Sequence, residues 1–193
     1  MLNTRILIDY NMSWHKSNLY DNLCDISLVA PNLYTVDQCF GPSTFSWLCG
    51  ITETSCNEFF LGDLKKRLQL KANCHDQARL NQIGCDQISA LEQLTGLRLH
   101  FVEAKFWLDL PQFGCQVHSD APDLLVNYQI YIHTSPGVDI ECVGAEFLHV
   151  KPPVQVQFKP NHGYINVNTD LKPHWVNGGH ATRTSVMFQY ARV

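Results

Sequence analysis

Apolar and polar positions change rhythm near residue 96. Leu97 to Leu108 alternates and is rich in aromatic and β-forming residues, and comparable runs follow at 124–133, 144–150, 153–158, 163–167 and 183–190. Pro, Gly, Asn and Asp punctuate them, so each reads as a short strand bounded by turns. Several short strands with no helix between them argue for an antiparallel barrel or double-sheet jelly roll and against a βαβ fold. Upstream, Leu61, Leu64, Leu68 and Leu70 among Lys and Arg predict an amphipathic helix whose polar face carries Lys65-Lys66-Arg67. Ala78, Leu80, Ile83, Ile88, Leu91 and Leu94 approximate a 3.6-residue period, predicting a second helix from about Asp76 that stops at Gly96. Before residue 58, apolar runs at Ile6–Ile8, Ile26–Ala30 and Phe45–Cys49 read as short strands.

The strand-rich half holds the candidate chemistry. In Val117-His118-Ser119-Asp120 the imidazole and the carboxylate lie two residues apart on an extended segment and project to one side, where they can share a metal ion. Farther on, His174 precedes a Gly-rich turn, after which Arg183 and Ser185 open a β-forming run. Arg183, Ser185 and Met187 alternate with Thr184, Val186 and Phe188. If Val186 and Phe188 pack between layers, Arg183 projects into the barrel, where a guanidinium needs an anionic partner. No acid neighbours it in sequence, and a dicarboxylate ligand would serve through a bidentate pair.

The order His-x-Asp, a long gap, His, then Arg-x-Ser nine residues later resembles the 2-oxoglutarate and Fe(II)-dependent oxygenase superfamily, in particular its prolyl-4-hydroxylase-like branch. Val126 to His133, Gly144-Ala145-Glu146-Phe147 and Pro160-Asn161-His162-Gly163-Tyr164-Ile165 fall where that branch has corresponding segments. The resemblance covers about residues 100 to 193. It implies an α+β, mainly β fold: a double-stranded β-helix (jelly roll) with N-terminal flanking helices. The chain would then be one oxygenase domain over 1–193, with strands and supporting helices in 1–96 and the metal-binding jelly-roll core in 97–193. It also implies Fe(II) held by His118, Asp120 and His174 as a 2-His-1-carboxylate triad. Arg183 would grip the far carboxylate of 2-oxoglutarate, helped by Ser185 and Tyr131, with Asn127 and Gln129 lining the same cavity. O2 would be the oxidant, succinate and CO2 the co-products, and the substrate a small molecule or a peptidyl group.

His149, His162 and His180 are rivals to His174: His180 belongs to the Gly-rich turn, His162 to a Pro-Asn-His-Gly turn, and His149 shares a strand face with Phe147. Trp107 and Lys105 read first as packing and surface residues and second as candidates for the substrate cleft. Two other readings remain open: a cupin-like metalloprotein without 2-oxoglutarate, which leaves Arg183 no task, and a non-enzymatic β-sandwich.

Composition narrows the setting. A net charge of -4 gives no general attraction for nucleic acid or anionic membranes. No stretch approaches the ~18–20 apolar residues of a membrane span, and the first ten residues lack a secretion signal, so a cytoplasmic enzyme is expected. The eight cysteines contain no C-x-x-C pair and, in a chain with 45% hydrophobic residues, are expected to be thiols and not disulfides or zinc ligands.

Overall fold

The computed structural model describes residues 25–54, 58–61, 67–111, 113–134, 145–148, 153–169, 173–177 and 182–193. In chain order the elements are β1 (Asp25–Ala30), β2 (Leu33–Asp37), α1 (Pro42–Thr54), β3 (Glu58–Leu61), β4 (Arg67–Lys71), α2 (Cys74–Asp86) and α3 (Ile88–Thr95). There follow β5 (Leu99–Asp109), β6 (Gly114–His118), β7 (Val126–Thr134), β8 (Ala145–Phe147), β9 (Val154–Gln155), β10 (His162–Val167), β11 (His174–Asn177) and β12 (Arg183–Arg192).

The strands form two antiparallel sheets. The larger has the order β1-β2-β10-β7-β12-β5-β4-β3, the smaller β6-β11-β8-β9. Period-2 alternation sends the two faces of the large sheet to different cores. From β7 and β12, Tyr128, Ile130, Ile132, Val186, Phe188 and Tyr190 are buried with Leu48, Leu80, Ile83 and Leu91 of the helices. At ~1.5–3 kcal/mol for each fully buried large apolar side chain, this layer is the main source of stability. The opposite face presents Asn127, Gln129, Tyr131, Arg183 and Ser185 to the interior between the sheets. There Tyr131, Phe147, Val156, Phe158 and Tyr164 make a smaller aromatic core. The expected jelly roll, with helices on its outer face, is therefore the observed architecture.

Three sequence expectations upstream need correction. Where a helix is expected over Leu61–Leu70, the described residues are instead the antiparallel strands β3 and β4, in which Leu61 pairs with Leu68 and Phe59 with Leu70, and 62–66 lie outside the described residues. The leucines are spaced for a helix, but the edge of the large sheet takes the two strands, with Arg67 opposite Asp109 and Leu70 opposite Phe106. Phe45–Cys49 is not a strand but part of α1, which covers the core with Leu48 and Ile51. The single helix from Asp76 is two. Asn73 caps α2 by accepting from the Asp76 backbone N–H, and the chain turns at Gln87 before α3. Gly96, at φ 71°, ends α3 as expected. The strand at Ile26–Ala30 is β1, while Ile6–Ile8 and Lys65-Lys66 lie outside the described residues.

Candidate metal centre and anion pocket

β6 and β11 bring two of the expected ligands together. In their antiparallel pairing His174 lies opposite His118, and the two rings are 4.4 Å apart between centroids. Asp120 lies just beyond the end of β6, after Ser119. One of its oxygens, Oδ1, faces both imidazoles, 3.9 Å from His118 Nε2 and 3.7 Å from His174 Nε2. Ligand atoms from all three side chains lie within 4.8 Å of one another. Two imidazole nitrogens and one carboxylate oxygen on one side of a strand pair are a donor set that fits a divalent metal such as Fe(II).

The surroundings hold these ligands in place. Asn127 Nδ2 donates to Asp120 Oδ2 at 2.6 Å, and Asn166 Nδ2 approaches the same oxygen at 3.5 Å. One carboxylate oxygen is thus fixed while the other faces the histidines. Asn127 is itself oriented by Gln189, whose Nε2 donates to Asn127 Oδ1 at 3.1 Å, and Lys105 Nζ donates to Gln189 Oε1 at 3.2 Å. The His174 ring is buried and stacks on Phe147 at 5.2 Å. His118 is exposed, so the cluster opens to solvent on its β6 side. Support of this kind fixes ring and carboxylate orientation at a metal site.

Deeper in the barrel is a second, cationic cluster. Arg183, on β12, is buried, and its Nη2 donates to Asp109 Oδ2 at 2.6 Å. Arg67, on β4, grips the same carboxylate bidentately, Nε to Oδ1 at 2.6 Å and Nη2 to Oδ2 at 3.0 Å. The pocket beside these groups is lined by Arg67, Asp109, Gln129, Tyr131, Phe158 and Arg183 among others. Two guanidiniums around one carboxylate leave this cluster with a single positive charge, which suits an anionic ligand.

Tyr164 lies between the two clusters. Its hydroxyl donates to Gln129 Oε1 at 2.7 Å, and Gln129 Nε2 donates to Ser185 Oγ at 3.0 Å. Burial pushes the Tyr164 hydroxyl well above the usual tyrosine range, with Tyr131 and Asp120 adding to the effect and Arg67 and Arg183 opposing it. Tyr164 is therefore a neutral hydrogen-bond donor at ordinary pH.

The expected residues thus fall into two groups. His118, Asp120 and His174 form the cluster that could hold a metal, with Asn127 bonded to Asp120. Arg183 and Tyr131 line the cationic pocket, where Tyr131 stacks on Phe158 at 4.2 Å, and Ser185 stands behind it, bonded to the lining residue Gln129. His162 does not lie in the turn itself: it opens β10 and is buried, with Nδ1 2.6 Å from Asp37 Oδ1. His149 and His180 lie outside the described residues. Trp107 packs beneath Arg67, 5.0 Å from ring centroid to guanidinium carbon. Sequence reasoning missed Asp109 and Arg67. Asp109 shares the strand parity of Lys105 and Trp107, a signal that extending the alternation by one residue would have captured. Arg67 was hidden by the helix reading of its segment.

No protein-family model matches the sequence, and no curated protein does. Solved structures do match. HygX from Streptomyces hygroscopicus, with nickel, 2-oxoglutarate and hygromycin B bound, superposes with a TM-score of 0.63 at 9% identity, over 84% of this chain and 83% of that one. An oxidoreductase of the 2OG-Fe(II) oxygenase family from Burkholderia pseudomallei gives 0.64 at 16% identity, over 84% and 85%. A Pseudomonas putida prolyl-4-hydroxylase gives 0.61 at 18%, over 84% and 93%. The fold of this chain is the fold of these enzymes.

Proposed function

We propose that the chain is a 2-oxoglutarate and Fe(II)-dependent oxygenase that hydroxylates a small-molecule or peptidyl substrate, releasing succinate and CO2. The observation that supports this most is one barrel carrying both a His118–Asp120–His174 cluster and a buried cationic pocket around Arg183. A metal-binding barrel without 2-oxoglutarate has no use for the second, and a non-enzymatic sandwich has no use for either.

In this reading His118, Asp120 and His174 hold Fe(II), and Asn127 keeps the Asp120 carboxylate turned toward it. When bound, the metal supplies O2 activation coupled to decarboxylation of the keto acid. Arg183 anchors the far carboxylate of 2-oxoglutarate by charge-assisted hydrogen bonds, which orients the keto end toward the metal cluster. Ser185 and Gln129 supply neutral hydrogen-bonding groups between the two ends, and Tyr131 and Phe158 form an apolar wall that keeps water from the pocket. The exposed His118 side is where substrate approaches. No helix among the described residues is long and apolar enough to cross a membrane. The fold leaves the substrate open.

The test is turnover. Protein loaded with Fe(II) and 2-oxoglutarate, then exposed to O2 with panels of peptides, amino acids and small metabolites, should form succinate in step with 2-oxoglutarate loss. His174→Ala should form none. Succinate formation equal in wild type and His174→Ala would contradict the proposal.

A further inference from the structure

Asp109 is placed by register and not by chance contact. On β5 it lies opposite Arg67 of β4 on one side and opposite Arg183 of β12 on the other. All three side chains come from adjacent strands of one sheet and point to its interior face. The side chains of Asp109 and Arg183 are nearly sealed from solvent, at 3% and 2% exposure, and Arg67 is at 17%. The Phe113 ring sits against both guanidinium carbons, 4.2 Å from that of Arg67 and 5.8 Å from that of Arg183.

A carboxylate on the very arginine that should bind an anionic ligand is at first a contradiction. Alone with Arg183, Asp109 would neutralise the pocket and compete with an incoming carboxylate. Arg67 resolves this. Its bidentate grip engages both oxygens of Asp109, whereas Arg183 gives Asp109 one Nη2 bond. The Asp109 charge is shared between the two guanidiniums, each with a bond of 2.6 Å to it, and two cations around one carboxylate leave one positive charge over.

We infer that Arg67 is a positioning residue that sets the charge of the co-substrate pocket: by sharing Asp109 with Arg183 it keeps the pocket net positive toward a ligand carboxylate. Asp109 in turn fixes the plane of the Arg183 guanidinium. This inference rests on the proposed use of 2-oxoglutarate. It predicts that Arg67 governs recognition of the far carboxylate and has no part in binding the keto-acid end.

The experiment is a calorimetric titration of nickel-loaded protein, where no turnover occurs, with two acids. One is 2-oxoglutarate. The other is 2-oxopentanoate, which has the same chain length and a methyl group in place of the far carboxylate. Arg67→Gln should weaken 2-oxoglutarate about tenfold, the scale of one unit charge several ångströms away in a partly screened site, and leave 2-oxopentanoate unchanged. Arg67→Lys, which keeps the charge, should stay within about threefold of wild type. The double variant Arg67→Gln/Asp109→Asn restores the single positive charge and should recover 2-oxoglutarate affinity. Equal weakening of both acids by Arg67→Gln would overturn the inference, as would a folded double variant that fails to recover. Should the double variant not fold, the two-acid comparison in Arg67→Gln decides alone. A wild type that does not prefer 2-oxoglutarate over 2-oxopentanoate would instead refute the co-substrate reading itself.

Discussion

His118 and His174 face each other across the antiparallel pairing of β6 and β11, so strand register alone sets the distance between the two imidazoles. A ladder irregularity between His174 and Val176 separates this pair from the regular pairing of Val176 with Cys115 and Asn177 with Gly114. Two candidate ligands on paired strands and a third just beyond one strand end make a cluster whose geometry is carried by the sheet and not by loops alone.

Metal affinity should follow this geometry. Replacing His118, Asp120 or His174 with Ala should each lower Fe(II) or Mn(II) affinity by more than about 100-fold while circular dichroism stays unchanged. Asn127→Ala, which frees one Asp120 oxygen, should cost roughly 10–100-fold, as is typical when the support of a metal ligand is lost. His162→Ala should leave metal binding intact, because His162 is committed to Asp37. Metal titration of the apo-protein checks all five variants, and a metal defect in His162→Ala alone would overturn the assignment of His174.

Arg183→Ala should weaken 2-oxoglutarate binding by roughly one to two orders of magnitude, the equivalent of a charge-assisted hydrogen bond or two. Metal affinity should survive, since the guanidinium belongs to the inner cluster. Arg183→Lys should fall between, keeping charge but losing the planar fork. Ser185→Ala should cost least, removing one neutral hydroxyl. Titration of 2-oxoglutarate into metal-loaded protein distinguishes these, and equal affinity in wild type and Arg183→Ala would reduce Arg183 to a structural residue.

Gly84 makes a prediction about packing. A Cβ placed there would come within 2.3 Å of the Phe101 ring, which is held edge-on to Tyr190 at 5.8 Å. Gly84→Ala should therefore destabilise the fold by about 1–3 kcal/mol from overpacking, despite the ~1 kcal/mol that Ala gains over Gly in a helix. Combining it with Phe101→Leu should recover part of the loss. Urea unfolding of the wild type and these two variants is the measurement, and a more stable Gly84→Ala would show that the ring can move aside.

Tyr190 makes one about pH. Its hydroxyl donates to the Gly84 carbonyl and to Gln87, and burial, with Cys85 adding, pushes it well above the usual tyrosine range. An unfolded tyrosine ionises near pH 10 while the folded one stays protonated. Above that pH the unfolded state binds fewer protons, so stability is intact below about pH 10 and falls as pH rises past it, by up to ~1.4 kcal/mol per pH unit for this group. Tyr190→Phe should be less stable at neutral pH, for loss of the two hydrogen bonds, and should show a shallower decline in alkali. Chemical denaturation between pH 8 and roughly 11 reads both slopes, and parallel curves would contradict the assignment.

The strand-rich half was readable because its chemistry follows parity. Asn127, Gln129 and Tyr131 face inward on β7 while Tyr128, Ile130 and Ile132 face the helices, as alternation requires. The N-terminal half was harder to read, because Leu61, Leu64, Leu68 and Leu70 have helical spacing in a segment that includes two paired strands at the sheet edge. Its pairing with β5 is a long-range decision that no local pattern records. The same error hid Arg67. Asp109 was missed for a related reason: its two partners lie 42 and 74 positions away in sequence, and only the strand order β4-β5-β12 makes them neighbours.

The account depends on one site binding metal and 2-oxoglutarate together, and anaerobic spectroscopy tests this most directly. Apo-protein is mixed with Fe(II), then with 2-oxoglutarate, in the absence of O2, and the visible spectrum is recorded. Chelation of the metal by the keto acid should produce a weak charge-transfer band that needs both additions. The band should be absent in His174→Ala, and in Arg183→Ala it should require a higher 2-oxoglutarate concentration. Folded wild-type protein that binds Fe(II) but develops no band at saturating 2-oxoglutarate would contradict the account.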